Sequence, residues 1–500
     1  MKKRILGLFL MACLFTALVG CSPNGDKKSS SNASGDGNDS NEEPYTLNVS
    51  YPVYGDTPAD LSMVQEKVNE ITLKEINAKV EFKPVEVSAM ANTYTLAASS
   101  GEKQDLIMLL PGGTYLTQYA GSNMIRPIDD VMEKHGKDIE AGLGNLLDAA
   151  KIDGKQYGIP GKEIAPQGKG IWLLDSVVKK YNIDITKIKT LDDLDPIFEQ
   201  VHAAEPDLQI VFPYGTSTFT LNYDTLGNGF GVLRNGGIGD LKVVNMLETE
   251  EYKKTIKKVR EWYLKGYISK DFATTQSSTS QLMDAGKLFV SMNATEFANV
   301  ALGAPIPKQY VTLHEPVDTT EAYQTFIWAV PTIAERPDKS IQFLNLVFKD
   351  QSLATLLKFG IEGEHYVKND DNTIDTSKAS MSTFIMNWQI WGNPEKLPLT
   401  KKALVGVGGD AAKYKSVLEE WKKTTKTSKA FGFMFNPEPV KTEIAACTAI
   451  SDQYTKLLEG GALDPDKYLK EINEKLYAAG LQEIIDEKQR QLDKWAKAQK

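Results

Sequence analysis

Residues 45–110 carry the clearest pattern of secondary structure, and they read YTLNVSYPVYGDTPADLSMVQEKVNEITLKEINAKVEFKPVEVSAMANTYTLAASSGEKQDLIMLL. Alternating apolar and polar residues predict a strand, and apolar residues three or four apart predict a helix. A continuous apolar run predicts a strand that is buried on both faces. By these rules the segment contains a strand, a helix, a strand, a helix and a buried strand, at residues 46–51, 60–76, 79–85, 89–100 and 106–110.

This β-α-β-α-β order predicts an α/β fold, with a mostly parallel sheet and helices on both of its faces. In open sheets of this kind, ligands bind outside the carboxyl ends of the strands. Those ends are followed by the loops at Tyr51–Asp56 and Pro111–Tyr115. We therefore expect ligand-binding residues in these two loops.

The rest of the chain continues the α/β pattern and then becomes mainly helical. After a stretch rich in Gly, Pro and Lys at residues 161–170, a second α/β unit begins at Ile171. In the C-terminal third, Asp464-Pro465 predicts the start of a helix and Gly480 predicts its end.

The N-terminus has the features of a secretory signal followed by a tether. Basic residues 2–4 precede the apolar run 5–19, which is shorter than the roughly 20 residues that span a bilayer. The run ends in Leu18-Val19-Gly20-Cys21, which resembles the bacterial lipobox. We predict a signal peptide at residues 1–20, lipidation of Cys21, and a tether through residue 44.

The tether contains no aromatic and no branched aliphatic residue from Ser22 to Pro44. It cannot bury enough apolar surface to offset the entropy of ordering. As a flexible coil it would hold the folded part on the order of 25 Å from the bilayer. We expect the N-terminal lipid to be the only contact with the membrane.

Composition excludes several classes of protein. The 500 residues include 57 Lys+Arg and 66 Asp+Glu, for a net charge of -9, and 41% are hydrophobic. These values exclude a disordered chain and a polytopic membrane protein, and the acidic balance argues against a nucleic-acid partner. Only Cys447 remains after export and lipidation, so no internal disulfide can form. Its helical spacing from Ile444 and Leu458 predicts a buried small apolar residue.

Motifs of catalysis and of metal binding are lacking in the sequence. There is no phosphate-binding loop, no Gly-x-Ser-x-Gly elbow and no His-Glu-x-x-His, and the four histidines are scattered singly. Residues 406–411 match a dinucleotide loop only loosely, and residues 370–375 lack the Gly that a calcium loop needs. We predict no catalytic residue, no metal and no cofactor. A catalytic carboxylate pair stays open, because sequence does not report the distance between two acids.

Several motifs occur together with the lipobox and the tether. The chain contains GKQYGIP at Gly154–Pro160 and AGK at Ala285–Lys287. Taken together these resemble family 1 extracellular solute-binding proteins of ABC importers. The C-terminal part resembles a subgroup that carries a domain of unknown function, through Gly360–Tyr366, Phe431–Asn436, Pro439–Ile444, Asp464–Tyr468, Ala479-Gly480 and Glu487–Gln489.

The resemblance implies two α/β lobes in the Venus-flytrap arrangement of periplasmic binding proteins, with a helical C-terminal extension. Two or three crossing segments join the lobes, and solute is bound in the cleft as the lobes close. Residues 45–162 and about 332–400 are expected in lobe 1, and residues 163–331 and about 401–500 in lobe 2. The implied partner is an ABC permease, served by a lipid-anchored monomer outside the cytoplasmic membrane of a Gram-positive cell.

The abundance of aromatic residues points to a carbohydrate, in particular an oligosaccharide, as the solute. The chain has 7 Trp and 20 Tyr, and sugar C–H faces pack on aromatic rings while polar side chains bind the hydroxyls. A peptide or another non-sugar solute, or a surface glycoside hydrolase, stays open as an alternative. Trp262, Trp421 and Trp495 have helical core spacing and are assigned to packing.

Candidate ligand-binding residues are rings and polar groups near strand ends or crossings. They are Tyr54, Tyr115, Trp172, Asp224, Asn293, Trp328, His365, Trp388 and Trp391. Competing roles stay open for some of them. Trp172 and Trp328 could belong to a core between lobes, Asp224 and Asn293 could serve caps and turns, and His365 could brace the fold.

Overall fold

The predicted first strand is present as Tyr45–Val53. Partly exposed and buried side chains alternate in it from Thr46 to Val49. It pairs in parallel with Ala78–Glu86 along its whole length. The intervening helix, Leu61–Ile76, buries Val64 and Val68, which are four residues apart and therefore lie on one face. The predicted β-α-β-α-β order of residues 45–110 is confirmed.

The computed structural model describes residues 43–499 apart from 54–55, 162–167, 214–219, 276, 296–305, 378–391, 394–395, 402–403 and 405–408, and apart from the side chains of 293–295. Its strands are β1 Tyr45–Val53, β2 Ala78–Glu86, β3 Leu106–Leu109, β4 Lys151–Ile152, β5 Lys155–Gln156, β6 Ile159–Pro160, β7 Lys169–Leu174, β8 Gln209–Phe212, β9 Leu288–Thr295, β10 Lys308–His314, β11 Val317–Asp318, β12 Ile327–Ala329, β13 Val367–Lys368, β14 Ile374–Asp375 and β15 Lys426–Thr427.

The α-helices of these residues are α1 Leu61–Ile76, α2 Met90–Ser100, α3 Gly112–Gly121, α4 Asp129–His135, α5 Lys137–Leu143, α6 Asp175–Lys180, α7 Asp195–Ala204, α8 Glu250–Leu264, α9 Thr279–Asp284, α10 Pro337–Lys349, α11 Gln351–Phe359, α12 Ala411–Thr424, α13 Lys441–Glu459, α14 Pro465–Ala478 and α15 Leu481–Ala498. The described helices include none that is long and apolar enough to cross a membrane. The signal peptide, Cys21 and the tether up to residue 42 lie outside the described residues.

Lobe 1 is built on a five-stranded sheet in the order β2-β1-β3-β12-β6. All its strands run in one direction except β12, which is antiparallel to both of its neighbours. Helices α1, α10 and α11 pack on one face, and α2 and α3 pack on the other. The prediction of helices on both faces of a mostly parallel sheet is confirmed.

The boundary of lobe 1 differs from the one placed at residue 331. Strand β12 belongs to the first sheet, so the chain has returned to lobe 1 before Ile327. Alternate residues of this three-residue strand enter the two cores of lobe 1: Trp328 lies on one face, and Ile327 and Ala329 lie on the other. Burial on both faces makes this short strand an internal part of the sheet.

Lobe 2 is built on a four-stranded sheet in the order β10-β7-β9-β8. Here β7 is the one reversed strand, because it is antiparallel to β9 and β10 while β8 and β9 are parallel. Its core contains Trp262, whose ring lies 4.9 Å from that of Phe198 and whose indole N–H donates to Asp195 at 2.7 Å. The assignment of Trp262 to packing is confirmed, as are those of Trp421 and Trp495, which join smaller apolar clusters.

The C-terminal helices α13, α14 and α15 pack on lobe 2, where they form a third core with α8 and residues 221–244. Asp464 caps α14 by accepting the Asp466 amide at 3.0 Å, and Gly480 takes a φ of +102° between α14 and α15. Cys447 is fully buried, and burial raises the pKa of its thiol to about 11. It is therefore a packing residue, as its spacing predicts.

Candidate functional site

The carboxyl edge of the first sheet is formed by the ends of β1, β3 and β6. Because β12 is antiparallel, its beginning lies at this same edge, with Ile327 opposite Leu109 and Pro160. The loop from Leu110 into α3 follows β3 there. This is the edge at which the sequence places ligand contacts.

The second sheet has a corresponding edge. Strands β8 and β9 end at it, and β7 begins at it, since Lys169 pairs with both Thr295 and His314. The chain leaves the first edge at Gly161 and enters the second at Lys169, and it returns from His314 to β12. The two carboxyl edges are thus joined directly by crossing segments, so they border the space between the lobes.

The return crossing, residues 314–327, is bonded to the first turn of α3. The amides of Gly112 and Gly113 donate to the carbonyls of Thr325 and Gln324, each at 3.0 Å. A Cβ on Gly112 would lie 2.6 Å from a carbon of Ile327 and 2.7 Å from the Gln324 carbonyl oxygen. The Gly-Gly pair of the predicted binding loop therefore lets the helix approach the crossing closely.

A third crossing runs beside the return crossing from Lys426 to about Phe435. Strands β11 and β15 pair in parallel, and the Ser428 amide donates to the Asp318 carbonyl at 2.9 Å. The Thr320 hydroxyl accepts from the Gly432 amide at 2.8 Å and lies 3.3 Å from the Ala430 carbonyl. These contacts hold the return crossing and the third crossing side by side, where the family resemblance implies a hinge.

The segment from Thr220 to Leu233, here called the 220–233 loop, lies at the edge of lobe 2. The Lys169 ammonium lies 3.4 Å from the carbonyls of Leu221 and Tyr223, and the His314 ring nitrogen Nε2 lies 2.8 Å from the Thr220 carbonyl. Burial lowers the pKa of both Lys169 and His314. Two basic side chains at strand ends thus hold the near end of this loop.

Asp224 is buried within the 220–233 loop and has protein partners. Only 2% of it is exposed, its carboxylate accepts from the Ser428 hydroxyl at 2.6 Å, and it accepts from the Leu226 amide at 3.1 Å. Burial raises its pKa. The structure gives Asp224 a bracing contact with the third crossing, which fits the turn chemistry that the sequence left open.

Among the predicted rings, the structure brings Tyr115 to the carboxyl edge. It lies in the first turns of α3, is half-buried, and its ring is 5.4 Å from that of Tyr119.

The two predicted tryptophans of the sheets lie in cores. Trp328 is 4% exposed in the core of lobe 1, and Trp172 is 9% exposed in that of lobe 2. Trp172 is three residues inside β7, paired with Tyr310 and Ser291, and the Lys308 ammonium lies 5.1 Å from its ring centre. The residue at the cleft end of β7 is Lys169.

His365 is placed away from the two crossings, in lobe 1. Its Nδ1 accepts from the Ile361 amide at 2.9 Å, and its Nε2 lies 3.2 Å from the carboxylate of Asp60. It therefore braces the turn after α11 against the start of α1, as the alternative for it proposed. Tyr54, Trp388 and Trp391 lie outside the described residues, and Asn293 is described only as backbone in β9.

Sequence reasoning missed Lys169, His314 and Gln324. Gln324 donates to the Ala149 carbonyl at 2.8 Å and contacts the sulfur of Met434, so it joins lobe 1 to the third crossing. Their positions in the sequence could have identified them, because each lies at or near the end of a strand beside a crossing. Across the described ranges, no three His, Cys, Asp or Glu side chains are grouped so that they could hold a metal.

Comparison with known proteins gives relatives over most of the chain. A carbohydrate ABC transporter substrate-binding protein of Streptococcus pneumoniae serotype 4 is 25% identical over 462 residues, 89% of this chain and 90% of that protein. A polygalacturonan/rhamnogalacturonan-binding protein of Bacillus subtilis is 24% identical over 364 residues, 67% of this chain and 70% of that one.

Solved structures share the fold. The N-glycan transport solute-binding protein of Streptococcus pneumoniae matches with a TM-score of 0.79 at 22% identity, covering 91% of this chain and all of that one. An alginate-binding protein matches with a TM-score of 0.62 at 14% identity, covering 90% and 98%. The two-lobed architecture implied by the motifs is confirmed.

Two protein-family models match parts of this chain. Residues 429–497 match a domain of unknown function, DUF3502, which covers the three C-terminal helices. Residues 68–362 match the family of bacterial extracellular solute-binding proteins, which spans both lobes and more than half of the chain. The chain belongs to the bacterial extracellular solute-binding protein family.

Proposed function

We propose that this protein captures a carbohydrate, in particular an oligosaccharide, between its lobes and delivers it to an ABC permease. The observation that carries the proposal is the match to a carbohydrate ABC transporter substrate-binding protein along nine-tenths of both chains. Relatives of this kind are binding components of transporters and not enzymes. The energy for transport then comes from the ATPase that serves the permease, since this sequence has no phosphate-binding loop.

The geometry supports capture by closure. Each lobe offers polar backbone and side chains at a carboxyl edge, and the two edges are joined by paired crossings at β11 and β15. A solute that touches both edges stabilises the closed state only through contacts that are stronger when the lobes are closed. Tyr115 offers a ring on the lobe 1 side, and the 220–233 loop borders the lobe 2 side.

A thermal-shift screen tests the proposed solute class. The probes are Man5GlcNAc, kestose, an oligogalacturonide and a mixed hexapeptide, each at a series of concentrations. A bound probe stabilises the folded state by RT ln(1 + [L]/Kd), so the shift should rise with the logarithm of its concentration. We expect sugar-specific stabilisation with the sugar recovered intact by mass spectrometry. Stabilisation by the peptide alone, or hydrolysis of a sugar, would overturn the proposal.

We also propose that the mature protein is a monomer held at the outer face of the cytoplasmic membrane by a lipid on Cys21. The support is the lipobox of residues 18–21 and a tether without apolar anchors. A Cys21→Ala variant should lose incorporation of labelled palmitate and leave the membrane fraction, with Cys447→Ala as the matched control that keeps both. A processed Cys21→Ala protein that still pellets with membranes would contradict the proposed anchor.

A further inference from the structure

Helix α15 carries a lysine in the middle of its apolar face. Lys488 follows Ile484 by four residues and precedes Leu492 by four, so the three side chains lie on one face of the helix. None of its surface is exposed. A fully buried lysine is rare unless it is paired or hydrogen-bonded.

The Lys488 ammonium lies in a cradle of three backbone carbonyls, all from the 220–233 loop. Its Nζ is 2.9 Å from the Thr225 oxygen and 2.8 Å from those of Asn228 and Gly231. An ammonium has three N–H donors and a neutral amine has two. The charged form therefore satisfies all three carbonyls, and the side chain serves the loop as a bound cation would.

The loop needs such support because one of its residues, Leu226, has an unfavourable backbone conformation. Leu226 has a φ of +53°, in the left-handed region that residues other than Gly rarely adopt, and Gly227 and Gly231 have φ of +93° and +86°. A residue held in such a conformation persists only where its surroundings fix it. Lys488 fixes the loop on both sides of this turn.

The same loop contacts both hinge crossings. The Thr225 hydroxyl is hydrogen-bonded to Glu321 on the return crossing, and Asp224 accepts from Ser428 on the third crossing. Burial lowers the pKa of Lys488 to about 7, while the carboxylates of Asp224 and Glu321 oppose that shift and favour the charged form. The Phe435 ring lies 5.4 Å from the ammonium. The loop thus stands between the C-terminal helix on one side and the hinge on the other.

We propose that Lys488 is a positioning residue for solute binding: it holds the 220–233 loop in the shape that braces the two hinge crossings. This assigns a role to the C-terminal helical segment, and it rests on the proposed function because the loop borders the proposed cleft. Without the ammonium, the carbonyls of Asn228 and Gly231 lose the Lys488 donor and that of Thr225 keeps only the Asn228 amide. The turn at Leu226 then relaxes, and the lobes lose a fixed hinge geometry.

The test compares Lys488→Met with Leu492→Ala in the full chain at pH 6.5. Both substitutions fall on the buried face of α15, but only the first removes the cradle donor. Amide hydrogen exchange of the ligand-free proteins is read in residues 220–233 and 317–321. We expect Lys488→Met to raise exchange there by about tenfold or more, as local opening becomes easier. Leu492→Ala should raise exchange mainly in α15 and its apolar neighbours.

A second variant covers the case in which Lys488→Met fails to fold. Thr225→Val removes the hydroxyl that bonds Glu321 and keeps the size of the side chain and the Lys488 cradle. We expect it to raise exchange in residues 317–321 while residues 226–233 stay protected. Unchanged exchange in residues 317–321 would overturn the link between the loop and the hinge.

Affinity for Man5GlcNAc is then measured for the wild type, Lys488→Met and Leu492→Ala by calorimetry. We expect Lys488→Met to weaken binding by about tenfold, on the scale of losing a charge-assisted hydrogen bond, and Leu492→Ala to keep wild-type affinity at an equal loss of Tm. Equal exchange and equal affinity in both variants would overturn the inference. If Man5GlcNAc fails to bind the wild type, the proposed ligand fails, and the exchange comparison alone decides the role of Lys488.

Discussion

Deletion of the C-terminal helices should abolish folding of lobe 2 and not merely ligand binding. The change is a stop codon after Asn436, which removes α13, α14 and α15. These helices cover ten large apolar side chains of the remaining chain, which are Leu221, Tyr223, Leu226, Val232, Leu233, Val243, Tyr252, Ile256, Phe433 and Phe435. The truncated chain no longer pays the conformational entropy of ordering these helices. The decrease in the free energy of unfolding is therefore set by the apolar surface that the deletion uncovers.

The magnitude follows from that surface. Full burial of a large apolar side chain stabilises by about 1.5–3 kcal/mol, so half-exposure of ten costs about 8–15 kcal/mol. A folded domain is stable by about 5–15 kcal/mol in total. The loss is therefore as large as the whole stability of the lobe, and the exposed apolar patch should cause aggregation.

The assay is near-UV circular dichroism with hydrogen exchange of β7 to β10. The matched control is a stop after Ala496, which removes only exposed residues among those that the structure describes. The control should melt like the full chain, and the truncated protein should lose protection in the second sheet. A soluble truncated protein with a cooperative transition and a protected second sheet would show instead that lobe 2 folds without these helices and that they form a separable unit.

Three further predictions concern single side chains. Gly112→Ala should lower the free energy of unfolding by about 1–3 kcal/mol, because the added methyl group overpacks against the Gln324 carbonyl. The control Gly121→Ala, whose methyl group meets nothing within 4 Å, should leave stability unchanged. Equal melting temperatures of the two variants would contradict the close approach of α3 to the crossing. Tyr115→Ala should weaken sugar binding by about 1–3 kcal/mol, with Tyr115→Phe close to wild type in calorimetry, and full affinity of the Ala variant would remove Tyr115 from the cleft. Burial lowers the pKa of Lys488 from 10.5 to about 7. Between pH 7 and pH 10.5 the unfolded chain therefore binds more protons than the folded chain, and the free energy of unfolding should rise with pH. Relative to Lys488→Met, the wild-type free energy of unfolding should therefore increase from pH 7 to pH 9.5 in denaturant titrations, and a falling difference would contradict the direction of the shift.

Local patterns in the sequence are sufficient to predict the elements of residues 45–110 and the bounds of the helix between Asp464 and Gly480. Alternation at Tyr45–Val53 and the apolar run at Leu106–Leu109 predict strands because side-chain direction repeats every two residues whatever lies far along the chain. The Asp464 cap and Gly480 act within one helical turn. Cys447 follows from helical spacing in the same way.

Membership of the family was also accessible from sequence, because the motifs that support it are short and contiguous. The placement of cleft residues was not. The sequence predicts Trp172 beside the first crossing, at the start of the second lobe. The pairing of β7 with β9 and β10 puts Lys169 at the strand end and Trp172 three residues inside the strand. Strand register depends on the partner strand, and β7 is paired with residues that follow it by more than a hundred positions.

Neighbours along the chain are enough to predict the order of strands and helices in residues 45–110, the α/β class and the lack of known catalytic motifs. Contacts between distant parts of the chain are needed to establish the return to lobe 1 before Ile327, the bracing role of Asp224, and the contact of Lys488 with the 220–233 loop. Lys488 lies more than 250 residues from the carbonyls it binds. A buried ammonium is stabilised only by partners that folding brings to it, so no local pattern can name them.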